Sequence, residues 1–149
     1  MKTVYKILLI GLFVFIPFVF NISLDDFFMY TIYAVSGIMF SIGLGMVVTF
    51  NLQGTKNKTF ISKIRQNLNT VRNSYIRYFA ISTVCFILEK YLRQADLSVL
   101  KIPLGENFIL SFNASVFLFL VMLYSILYFI INFLALQKLN NDLFDKLNE

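Results

Sequence analysis

The chain of 149 residues has no histidine and no tryptophan, a single cysteine, Cys85, and only two prolines, Pro17 and Pro103. Without an imidazole there is no ordinary general base for a serine nucleophile, and no HExxH helix of the kind that carries a zinc protease. Ser82 and Thr83 stand without an activating partner in the neighbouring sequence. One thiol closes no disulfide within the chain and, with no histidine beside it, completes no zinc site, so Cys85 reads as a small apolar packing residue. A glycine-rich phosphate loop is missing too. The expectation is a protein with no catalytic residue, no cofactor and no metal.

Charge is the second scarcity. Only 14% of residues are charged, against 58% hydrophobic, and 18 are phenylalanine. A water-soluble domain of this size must leave too much of its surface exposed to hide so many apolar side chains. Four stretches contain almost no charge, 4–22, 27–50, 75–88 and 108–136, and they mark the expected membrane spans, the third carried forward to give 75–92. The second and fourth exceed the roughly 20 residues that cross a hydrocarbon core of about 30 Å. The third reaches that length only by carrying Glu89 and Lys90 to the interface, where a lysine stem extends to the headgroups. Lys6, Gly11 and Pro17 interrupt the first, but Phe18, Val19 and Phe20 offer no small-residue cleavage signal, which favours a retained helix over a signal peptide. The predicted fold is an all-α integral membrane protein. It forms one domain over 1–149, a bundle of four transmembrane helices with cytoplasmic amphipathic extensions at 59–74 and 137–147.

Four spans place the amino terminus, the segment 51–74 and the carboxyl tail on one side, which holds ten of the 13 Lys and Arg residues. Basic residues are retained in the cytoplasm during insertion. The expected location is the plasma membrane with both termini cytoplasmic. The net charge of +5 is therefore a signature of topology. It would mark a nucleic-acid partner only with aromatic interleaving or a folded basic module, and neither is visible. Membrane lipids are the expected partners, anionic headgroups among them.

Two stripes extend past the spans on the basic side. Gly54 suits a helix end and Thr59 or Ser62 suits the start of the next, after which Ile61, Ile64, Leu68, Val71 and Tyr75 recur at spacings of three and four. Lys63, Arg65 and Arg72 sit off that stripe as candidates for contact with an anion or lipid; the bland reading is an ordinary positive-inside loop. In the tail Leu136, Leu139, Leu143 and Leu147 repeat the pattern. The stripes are buried by covering each other in one chain, by pairing across copies, or by lying on lipid. On the opposite side Pro103 and Gly105 mark breaks in 93–107, whose apolar residues suggest an interfacial or re-entrant piece. Asn21-Ile22-Ser23 matches the glycosylation acceptor pattern, which acts only in a compartment that glycosylates.

Within the bilayer, Gly37, Ser41 and Gly45 form a small-residue stripe that lets helices approach closely, inside one monomer or between subunits. Ser111, Asn113 and Ser115 are further packing or pore-lining candidates. No ionisable residue falls in the middle of the firm spans, which argues against a coupled transporter but leaves a pore open. The leading expectation is a homo-oligomer that forms or regulates a pore, as a membrane-perturbing effector does. The alternative is a monomeric immunity-type or accessory protein that binds a protein partner in the membrane through its helices.

Overall fold

The computed structural model describes residues 11, 13–19, 22, 24–50, 57–103 and 109–148, and of 102, 109 and 146–148 the backbone alone. Most of the expected first span, 4–22, thus lies outside the described residues, as do Gly54, Gly105, Asn21 and Ser23. The elements are α1 (residues 13–19), α2 (Asp26–Val48), α3 (Lys58–Gln94), the hairpin strands β1 (Val99–Pro103) and β2 (Ile109–Asn113), and α4 (Ala114–Asn148). The protein is mostly helical. Among the described residues two helices, α2 and α4, are long and apolar enough to cross a membrane. Helix α3 has the length, at 37 residues, but its uncharged run is confined between Arg77 and Glu89.

Three helix ends have a local cause. The Asn57 side chain accepts the Phe60 N–H at 3.1 Å and its carbonyl accepts the Ile61 N–H at 3.0 Å, so Asn57 caps α3 and the expected caps Thr59 and Ser62 lie inside the helix. At the other end Leu97 N–H reaches the Leu92 carbonyl at 2.8 Å and Asp96 N–H reaches the Arg93 carbonyl at 3.1 Å. Those two bonds form a Schellman turn, which needs a left-handed residue; Asp96 supplies it with φ 57°, a conformation short polar side chains tolerate. Asn113 caps α4, its Oδ1 accepting the Val116 N–H at 3.1 Å.

Among the described residues the protein is all-α apart from one two-stranded hairpin, which takes up residues expected to begin the fourth span. Residues 109–113 are strand, paired antiparallel with Val99–Pro103 in a register that sets Lys101 opposite Ser111 and Val99 opposite Asn113. A helix cannot run into Pro103 without losing a bond, and an extended edge strand admits the ring, so the apolar residues Val99, Leu100 and Ile102 satisfy their backbone by pairing with β2.

The chain divides into two compact units. In the first, Met1–Tyr33 with Ser82–Leu123, a core of Met29, Cys85, Leu118 and Met122 is joined by Phe86 and Phe117. Tyr33 stacks on Phe86 at 4.5 Å. In the second, Ala34–Ile81 with Tyr124–Glu149, the core is Val47, Ile64, Leu68, Tyr75, Phe129, Leu136 and Leu143. The stripe of α3 and the leucine stripe of α4 therefore meet within one chain, Val71 packing beside them; Ile61 and Leu139 are half-buried, and the Leu147 side chain lies outside the described set.

Candidate functional site

The first unit holds a charged cluster where α3 ends. Glu89 is completely buried, and its Oε1 accepts hydrogen bonds from Arg93 Nε at 2.8 Å and from Arg93 Nη2. The same guanidinium reaches Asp26 with Nη1 at 2.9 Å, while Lys90 Nζ holds the same Asp26 oxygen at 2.6 Å. Lys90 also lies over the Tyr30 ring, 4.2 Å from its centroid, an arrangement the ring quadrupole favours. Four opposite charges thus form a neutral network that fastens α3 to the start of α2. One atom is left over: Glu89 Oε2 is buried with no hydrogen-bond partner among the described residues.

Beside this network is a cavity of about 270 Å³ whose lining includes Arg93, Ser98, Asn113, Ser115, Ile22 and Leu24. Asn113 donates from Nδ2 to the Ile22 carbonyl at 2.9 Å, so its amide both caps α4 and ties it to the preceding segment. Ser115 is buried and its Oγ has no partner among the described residues. Ser111 sits in β2, half-buried, opposite Lys101. The structure brings Asn113 and Ser115 together at one cavity and leaves Ser111 outside its lining.

In the second unit the three small residues of α2 have different surroundings. A Cβ added at Gly37 would meet Phe79 Cε2 at 3.7 Å, an ordinary contact. Ser41 is exposed, its hydroxyl returned to the Gly37 carbonyl at 2.9 Å, and Gly45 faces open space. The close approach occurs at Gly43, which the spacing left out of the stripe: a Cβ there would fall 2.6 Å from Tyr75 Cζ. Tyr75 is fully buried, stacked on Phe129 at 5.0 Å, and donates its hydroxyl to the Phe129 carbonyl at 2.9 Å. Rows of small residues are visible in sequence; which row meets a neighbour depends on helix rotation, and the sequence does not state it.

Lys63, Arg65 and Arg72 are all exposed on α3. The structure separates them: Arg65 and Arg72 line a cavity of about 210 Å³ with Asn69, Leu68, Val47 and Val48, and Lys63 does not. Missed from sequence were Glu89 and Arg93 as a pair, although their spacing of four on a helix is the spacing at which opposite charges meet. Comparison with known protein families, with characterised proteins and with solved structures finds no match to this chain.

Proposed function

We propose that the chain is a multi-pass plasma-membrane protein with four spans and both termini cytoplasmic, and that copies of it assemble to form or regulate a pore without catalysing a reaction. The observation that carries this reading is an outer surface rich in large apolar side chains, with several polar groups buried beneath it. Ser36, Ser82, Ser125, Asn113, Ser115 and Glu89 are buried, while Val48 is 74% exposed and Ile131 66% exposed, with Phe27, Ile38, Ile87 and Leu134 also turned outward. Water penalises such a surface, whereas hydrocarbon accepts it. The basic residues gathered on one side of the spans support the orientation.

Assembly rests on the outward small-residue face. The stripes of α3 and α4 are already spent on each other, so they offer a second copy little apolar surface. Ser41 and Gly45 are open, and small residues at a helix surface admit another helix close enough for dispersion contacts to replace the hydrophobic drive that lipid lacks. A ring of copies then sets one span from each around an axis.

Native mass measurement in mild detergent, paired with ion flux from liposomes, tests this. The wild type is expected as an oligomer that conducts, and Ser41→Leu with Gly45→Leu to yield a folded monomer whose flux falls about tenfold or more, since each leucine holds the helices apart. Gly37 is left intact in that variant because Phe79 already lies against it. A wild type that is monomeric both in detergent and in lipid nanodiscs overturns the assembly.

A further inference from the structure

Among the described residues, two arginines on the polar side of α3 are without an acidic counterpart. Arg65 and Arg72 are seven residues apart, two helical turns, with Asn69 between them on the same row. Neither makes an ion pair among the described residues; Arg72 reaches only the neighbouring Asn73 Oδ1, at 3.4 Å from both Nε and Nη2. The second unit's described acids, Asp142 and Asp145, are both exposed on α4 and pair with neither arginine. The cavity the arginines share has a different second half. Val47 and Leu68 form a buried apolar floor and the strongly exposed Val48, last residue of α2, forms its lip.

We propose that this cavity holds the phosphate of an anionic phospholipid, Arg65 and Arg72 gripping the headgroup with Asn69 donating between them, and Val47, Val48 and Leu68 receiving the first methylenes of an acyl chain. The chemistry of each half selects the ligand. Guanidinium forks match phosphate oxygens in a planar, two-bond geometry, and two of them favour a headgroup with net negative charge over a zwitterion. A free phosphate would satisfy the arginines and leave the valine lip bare, which is why a lipid is the better occupant. The site rests on the reading that α2 crosses the bilayer, because only then does the end of its apolar run meet headgroups on the basic side. It narrows the cationic candidates to two, since Lys63 lies away from the cavity.

The test is native mass spectrometry of the full chain in non-ionic detergent, titrated with dioleoyl phosphatidylglycerol or dioleoyl phosphatidylcholine. The wild type is expected to retain the anionic lipid in preference, and Arg65→Gln with Arg72→Gln to weaken that retention about tenfold or more, as loss of two surface cations predicts. Lys63→Gln should retain it like the wild type, and both variants should keep the wild-type unfolding temperature because all three side chains are exposed. Inorganic phosphate forms the second arm: if millimolar phosphate binds as well and displaces the lipid, the ligand is a soluble anion and the lipid assignment falls. Carbonate extraction of expressing membranes reads the spanning separately. Equal lipid selectivity in wild type and double variant, with both proteins remaining in the membrane pellet, overturns the site alone. Release of the wild type into the supernatant overturns the spanning reading and the site with it.

Discussion

Gly43→Ala is expected to destabilise the protein by about 2–4 kcal/mol, combining an overpacked contact with the loss of one buried hydrogen bond. The added methyl would fall 2.6 Å from Tyr75 Cζ and 2.7 Å from its Oη, inside contact distance. A flexible side chain at a surface would swing aside, but Tyr75 is held on one face by the Phe129 ring and at its tip by the Phe129 carbonyl. Relief therefore requires either breaking that hydrogen bond in the core or moving α2 away from α3. The control lies two residues along the same helix. Gly45→Ala enters open space and removes a glycine's backbone entropy cost of about 0.5–1 kcal/mol, so its unfolding temperature should stay level or rise. Opposite signs for one chemical change at two neighbouring glycines separate packing from helix propensity. Tyr75→Leu should be costly alone yet tolerate alanine at 43 better than the wild type does, a coupling that a double-mutant cycle in detergent measures. Equal unfolding temperatures for Gly43→Ala and Gly45→Ala would refute the contact.

The parts of the structure that sequence made legible are those governed by one dominant energy. Charge-free runs mark α2 and α4 because a charge in hydrocarbon is expensive, and the three–four spacing of Ile64, Leu68, Val71 and Tyr75 marks the buried side of α3. Features decided by competition between similar local choices were less visible. Asn57, Thr59 and Ser62 all cap well, and the structure uses the first. Residues 109–113 are apolar enough for either a span or a strand; their pairing with Val99–Pro103 depends on a partner that Pro103 and Gly105 disguise as a broken loop. Long-range contacts were hidden altogether. Nothing near Tyr75 in sequence announces that its hydroxyl will find the Phe129 carbonyl, and nothing near Asn113 announces the Ile22 carbonyl. Glu89 and Lys90 illustrate a third case. Both were legible as the charged end of a span, but adjacent helix residues face different ways, so one is buried against Arg93 while the other reaches across to Asp26.

Arg93→Ala should be the most damaging of the charge removals, costing about 3–5 kcal/mol, because it strands a buried carboxylate. Both side-chain hydrogen bonds to Glu89 come from that guanidinium, and among the described residues Oε2 has no other donor to fall back on. Asp26 is in a different position: it is more than half exposed and keeps Lys90 when Arg93 is gone. The damage should therefore trace to Glu89, and the companion substitutions sort it. Glu89→Gln in the Arg93→Ala background removes the stranded charge and should recover most of the lost stability, although it restores no ion pair. Arg93→Lys should fall between wild type and alanine, since an ammonium is a point charge without the fork that serves Glu89 and Asp26 at once. Lys90→Ala, which removes a half-buried cation from the exposed Asp26 together with its contact to Tyr30, should cost much less than Arg93→Ala. Thermal unfolding of the four variants in one detergent gives the ranking. If Arg93→Ala and Lys90→Ala prove equally mild, Glu89 is not a buried charge held by Arg93, and the end of α3 is fastened to α2 by apolar contacts instead.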